Sequence, residues 1–184
     1  MQLDKAIRKR KSVRKFSSRK PDWRVIIEAI DAARYAPMAG KNYTLKFILV
    51  DDLEKIKKLA SCCQQDFVAQ SHYVVVVCTN PSRTINAFGK RGERYLKQQA
   101  GAAIQNFLLK IEEYGLSTCW IGSFVDNQIK DALGIPKEVG VEAIFPIGYE
   151  FKKEKPRNKI NLDNILYFNK YKNKKMKGPK IVRT

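Results

Sequence analysis

Six consecutive residues, Tyr73-Val74-Val75-Val76-Val77-Cys78, are apolar at every position, and this run constrains the fold more than any other segment. It is the strongest strand signal in the chain. A strand apolar on both faces must be covered from both sides, so it is expected at the centre of a sheet between two layers. The longest periodic segment, Gln98–Phe124, supplies one cover. Ala103, Ile104, Phe107, Leu108 and Ile111 fall at the i, i+3/i+4, i+7 spacing of a helix with one broad apolar stripe. Ala100, Gly101 and Ala102 are small enough to let another element pack close, and Gly115 stands where a left-handed cap is expected. The turn behind this helix, Trp120-Ile121-Gly122-Ser123, is the candidate for chemistry.

The remaining elements fall around these two. Residues 3–10 read as a first helix, followed by Arg10-Lys11-Ser12-Val13-Arg14-Lys15-Phe16, whose cations and hydroxyl could converge on one anion or form a solvated helix end. Pro21-Asp22 opens a second helix with Trp23, Ile26, Ile27, Ile30 and Ala33 as its core stripe, ending at Ala36-Pro37. A small-residue loop, Pro37-Met38-Ala39-Gly40, leads into a strand at Leu45–Val50 and a short charged helix at Leu53–Ala60. Residues 80–92 read as a long irregular connection of the kind that forms lids and binding loops. Asp126 is expected to cap a short helix ending at Gly134, and Val141–Tyr149 reads as a strand bent or at an edge because of Pro146. The order gives an α+β plan with a mixed sheet, one domain over residues 1–171 and a basic tail over 172–184.

The chain of 184 residues carries 36 Lys+Arg against 18 Asp+Glu, a net charge of +18 that favours anionic partners. Nucleic acid is one such partner, but the aromatics fall on core stripes rather than on an exposed stacking platform. No run is long enough to span a bilayer and the N-terminus lacks a signal-peptide core, so a cytoplasmic protein is expected. The four cysteines lack metal or disulfide spacing, and a single histidine, His72, rules out a multi-histidine metal site. HExxH, GxSxG, Walker A and GxGxxG patterns are absent. What remains is an anion site, a small-residue loop and a glycine turn behind a buried helix, a set suited to a phosphorylated planar cofactor that brings its own chemistry.

Four landmarks in order, covering nearly all of residues 3–171, resemble the FMN-dependent nitroreductase family. They are Arg10-Lys11-Ser12-Val13-Arg14-Lys15-Phe16; Ala36-Pro37-Met38-Ala39-Gly40 with Phe47-Ile48-Leu49-Val50; Gln99 to Leu109 with Gly115-Leu116 and Trp120–Phe124; and Gly134-Ile135-Pro136 with Ile147-Gly148-Tyr149 and a basic segment. The resemblance implies a homodimer with a central, mainly antiparallel mixed sheet flanked by helices, and two FMN sites at the interface. Arg10, Lys11, Ser12 and Arg14 would hold the phosphate, ribityl chain and pyrimidine edge, with Arg157 or Lys159 reaching the phosphate. Pro37, Met38, Ala39 and Gly40 would line the ring from the other subunit, and Gln65 would lie near the flavin. Ile121, Gly122 and Ser123 would sit beside the isoalloxazine, a backbone N–H facing N5 where hydride is accepted.

After Gly40 the chain reads Lys41-Asn42-Tyr43-Thr44-Leu45 where many members read Asn-x-Gln-Pro-Trp, and Asn42 is the residue that could take over the lost flavin contact. The implied activity is ping-pong electron transfer from NAD(P)H to a nitroaromatic or quinone, with residues 80–92 setting the substrate and no catalytic side chain or metal. A flavin-binding regulator without turnover is the alternative within the same fold.

Overall fold

The computed structural model describes residues 2–154 and 158–176. Four strands form one sheet in the order β1-β2-β4-β3: β1 is Leu45–Val50, β2 Tyr73–Thr79, β3 Ser117–Thr118 and β4 Gly140–Gly148. All three pairings are antiparallel. The apolar run is the inner strand β2, buried along its whole length, as its two-faced hydrophobicity requires. The pleat sends alternate residues to separate cores. Tyr73, Val75 and Val77 pack with α2 (Trp23–Ala33) and α5 (Lys90–Glu113), while Val74, Val76 and Cys78 pack with α3 (Leu53–Cys63) and α6 (Asp126–Leu133). The remaining helices are α1, Leu3–Lys9, against α5, and α4, Ser82–Phe88, also on α5.

Local chemistry accounts for most element ends. The Asp22 carboxylate accepts from the Arg24 N–H to cap α2, and Asp52 accepts from Glu54 and Lys55 to cap α3. At the end of α5, Gly115 takes φ +71, and the Leu116 N–H donates to the Ile111 carbonyl. Gly134 closes α6 in the same left-handed conformation, although Val125 rather than Asp126 is the N-cap, Asp126 lying in the first turn.

Three expectations are corrected. Residues 80–92 are not irregular: α4 and α5 form a helical corner at Gly89, whose φ is +54. A Cβ at Gly92 would stand 2.7 Å from the Thr84 carbonyl, so the two helices close on a glycine. Pro146 lies in the interior strand β4, not at an edge. On the β3 side, Ile144 exchanges hydrogen bonds with Ile121, and pairing resumes at Ile147 and Gly148, so the proline's missing N–H falls in the gap between. Trp23 and Ile27, placed on the core stripe of α2, are 43% and 47% exposed, and a Cβ at Gly101 would meet nothing within 4 Å.

Candidate functional site

The basic segment after α1 is laid along the β3 edge. Ser12 forms a parallel bridge with Thr118, the Val13 N–H donates to the Thr118 carbonyl at 2.9 Å, and Phe16 bridges Glu150. Val13 and Phe16 are buried, while Ser12 and Arg14 on either side of Val13 are exposed. Phe16 packs against Gly148, where a Cβ would come within 2.9 Å of its ring. The result is a cleft of about 400 Å³ lined by Arg10, Lys11, Ser12, Arg14, Glu150 and Lys159 among others.

Within that cleft the cations are not equivalent. The Lys11 ammonium pairs with the Glu150 carboxylate at 2.6 Å and also donates to the Glu154 carbonyl. Its charge is already met from within the chain. Among the described residues no carboxylate pairs with Arg10, Arg14 or Lys159, which leaves two guanidinium forks and an ammonium free for an incoming anion. Arg157 lies outside the described residues. Beside the cleft, half-buried Glu112 has its carboxyl pushed up by burial and, to a lesser degree, by the Glu150 carboxylate, against the opposing pull of Lys9, Lys11 and Arg10.

Three residues beyond Thr118, the chain reaches the second group. Ile121 is buried and anchored to Ile144 by hydrogen bonds of 3.0 Å in both directions. Gly122 and Ser123 then emerge exposed, and the nearest atom to a Cβ at Gly122 is the Trp120 indole nitrogen at 4.0 Å. Bare backbone facing open space suits a flat ring lying against it. Gln65 comes to the same end of the molecule, because the Val125 N–H donates to the Cys62 carbonyl at 3.0 Å and ties the end of α3 to this turn. The cationic cleft and the glycine turn thus both lie on the β3 side of the sheet, with Gln65 just past the end of α3 that Val125 ties to the turn, and the cations and open backbone suit the two ends of a phosphorylated planar cofactor.

The fourth group is elsewhere. Pro37–Gly40 and Asn42 precede β1, and Ala39–Lys41 forms a single 3-10 turn with Gly40 at φ +58 and Lys41 at +57. Leu45 pairs with Thr79 and Thr79 with Gly140 at one end of β4, whereas Ser117 pairs with Gly148 at the other. Nine residues of β4 at ~3.3 Å each and three strand spacings of ~4.8 Å put these corners on the order of 30 Å apart. One chain does not bring Pro37, Met38, Ala39, Gly40 and Asn42 to the Arg10–Arg14 cleft.

Several site features were not picked out from the sequence. Glu150 and Glu154 line the cleft and hold Lys11. Phe88, in the stretch read as loop, reaches within 2.9 Å of a Cβ on Gly40 and meets Tyr95 edge-on at 5.2 Å. Gln99, named above only as the start of a family landmark, is buried and bonds the 42–44 segment, a role that was not read from the sequence. The signal for Gln99 was present: a polar residue between Leu96, Ala100 and Ala103 on an apolar helix face.

The family model described as Nitroreductase family matches residues 7–65 and 59–149, nearly the whole of the sheet and its covering helices. The chain belongs to the nitroreductase family. A relative from Archaeoglobus fulgidus, which carries the provisional name NADH dehydrogenase/NAD(P)H nitroreductase, is 29% identical over 150 residues, 79% of this chain and 83% of the relative. A crystal structure from Parabacteroides distasonis with the same provisional name superposes with a TM-score of 0.82 at 26% identity, covering 93% of this chain and 99% of the other. An FMN-dependent nitroreductase from Clostridium difficile gives 0.77 at 26% identity over 90% and 98% of the two chains. The nitroreductase fold matches the α+β architecture and antiparallel sheet described above. Among the described residues no helix is long and apolar enough to cross a membrane.

Proposed function

We propose that this nitroreductase-family chain is an FMN-dependent oxidoreductase that takes electrons from NAD(P)H and passes them to a nitroaromatic, quinone or similar acceptor in a ping-pong cycle in the cytoplasm. The observation that carries the reading is the single edge on which Arg10, Ser12, Arg14 and Lys159 form a cationic cleft a few residues from the open backbone of Gly122-Ser123. When bound there, FMN supplies the hydride acceptance and electron delivery. The guanidinium groups of Arg10 and Arg14 and the Ser12 hydroxyl hold the phosphate end by charge-assisted hydrogen bonds. Lys11, held by Glu150, orders the far wall of the cleft. The 121–123 turn offers backbone N–H groups to the ring, fixed by the Ile121–Ile144 pairing so that no reorganisation accompanies charge development.

The separation of Pro37–Asn42 from this edge favours a site completed by a second copy of the chain. An apolar groove of about 730 Å³ lined by Leu3, Ile27, Tyr35, Leu109 and Tyr114, together with exposed Ile160, Leu162 and Ile165, supplies surface for that copy. A homodimer places the Pro37–Gly40 loop of one protomer against the flavin held by the other. Freshly purified protein is expected to be yellow and to release FMN on denaturation. Under anaerobic conditions its visible absorption should bleach with NADH or NADPH and return with a quinone. A colourless preparation that takes up no added FMN overturns the reading, and flavin binding without turnover moves the chain to the regulatory alternative.

A further inference from the structure

Between the strained turn at Gly40-Lys41 and the start of β1, three residues are held by one buried side chain. Gln99, 4% exposed, sits on the face of α5 that Leu96, Ala100 and Ala103 make apolar. Its Oε1 accepts from the Thr44 backbone N–H at 3.0 Å and from the Thr44 hydroxyl at 2.6 Å. Its Nε2 donates to the Asn42 carbonyl at 3.1 Å. Both polar atoms of the amide are engaged by residues 55 or 57 positions away, and Thr44 is itself 4% exposed. A buried polar set of this kind carries a desolvation cost that an apolar residue on the same helix face would avoid. What it provides is a single position for residues 42–44.

That segment needs holding. Lys41, a residue with a Cβ, is in the left-handed region at φ +57 directly after Gly40 at +58. The Asn42 N–H closes the turn on the Ala39 carbonyl at 3.0 Å. Beyond that bond the Asn80 N–H holds the Thr44 carbonyl at 2.9 Å, and Gln99 is the side chain that grips both the Asn42 and the Thr44 peptide units. The Asn42 amide nitrogen lies 3.5 Å from a Cβ position on Gly40, so the side chain points along the same surface as Met38–Gly40. This is also the stretch where the chain carries Lys41-Asn42-Tyr43-Thr44-Leu45 in place of the family's Asn-x-Gln-Pro-Trp run.

We infer that Gln99 is the positioning residue of the cofactor loop: by clamping the peptide units of Asn42 and Thr44 it fixes the backbone from which the Asn42 side chain is presented to the flavin. The inference rests on the FMN reading above. Gln99 never touches the ligand and acts only through Asn42, which makes the two residues thermodynamically coupled.

The test is a double-mutant cycle read by FMN affinity, measured by quenching of flavin fluorescence on the full-length apoprotein. Asn42→Ala and Gln99→Met are each expected to weaken FMN binding about tenfold. The double variant should stay near tenfold, because Asn42 no longer contributes once its clamp is gone, where independent sites would give about a hundredfold. An additive double variant, or a Gln99→Met or Asn42→Ala protein with parental FMN affinity, overturns the inference while leaving the flavin reading intact. A parent that binds no FMN removes both. Should Gln99→Met fail to fold, as judged by far-ultraviolet circular dichroism, Thr44→Val removes the 2.6 Å hydroxyl bond in the same cycle. It is expected to lose about threefold and to show the same non-additivity with Asn42→Ala.

Discussion

The phosphate-type cleft depends on a contact outside it, between Gly148 and Phe16, and Gly148→Ala tests that dependence. An added Cβ would stand 2.9 Å from Cδ1, 3.2 Å from Cγ and 3.3 Å from Cβ of Phe16. Carbon atoms pack at about 3.5–4.0 Å, so the ring has to retreat by roughly 0.6 Å or more. It has little room to do so. Phe16 is 7% exposed, and its neighbours are tied to the following strand end by Ser17 N–H to Tyr149 at 2.9 Å and Phe151 N–H to Lys15 at 3.0 Å. Overpacking at such a site costs about 1–3 kcal/mol. For a chain of this size that corresponds to a fall in melting temperature of about 2–12 °C.

The displacement is expected to travel toward Arg10–Arg14, because the same extended segment is pinned to β3 through Val13 and Ser12. Thermal melting of the apoprotein and FMN titration should therefore both worsen, the latter severalfold. Adding Phe16→Leu should recover part of each loss, since the two positions are in contact. A Gly148→Ala protein with unchanged melting temperature and unchanged FMN affinity would refute the packing argument and the link it makes to the cleft.

Two further outcomes follow from buried titratable groups. Cys62, Cys63, Cys78 and Cys119 are all buried and free, and burial pushes the Cys63 and Cys78 thiols up to about 11. Native protein at neutral pH should show no fast-reacting thiol and four upon unfolding, and a rapid native reaction would contradict the described burial. Glu112 has a raised carboxyl because ionisation there is opposed by burial, so the contribution it makes is present at low pH and lost as pH rises through its folded-state value. Glu112→Gln is accordingly expected to raise the urea midpoint at neutral pH and leave it unchanged near pH 4, and a lower midpoint at neutral pH would show that the cations around it dominate.

Residues that carry their instruction locally were readable without coordinates. The two-faced run Tyr73–Cys78, the Asp22 cap and the Gly115 terminator each specify their own conformation through chemistry confined to a few neighbours. Residues 80–92 misled because Pro81, Gly89 and Gly92 look like loop punctuation, while the structure uses Gly89 for a helical corner and Gly92 for close helix packing. Pro146 reads as an edge signal, yet its tolerance depends on a break in the partner strand, a fact about Cys119 and Trp120 rather than about the proline. For the candidate site, the sequence names residues but not how they are arranged in space. The motifs name Arg10–Arg14, Pro37–Asn42 and Ile121–Ser123, whereas only the strand register puts the second group at the far corner. Lys11 shows the same limit: its pairing with Glu150 links positions far apart in sequence.

The central claim is that this edge holds FMN by its phosphate. The direct measurement compares FMN with riboflavin, which lacks only that phosphate, in titrations of the apoprotein and of Arg10→Ala. The parent is expected to bind FMN at least tenfold more tightly than riboflavin. Arg10→Ala should lose about 1.5–3 kcal/mol toward FMN and little toward riboflavin. Equal affinity of the parent for the two flavins, or an Arg10→Ala protein that keeps the full preference for FMN, would contradict the account.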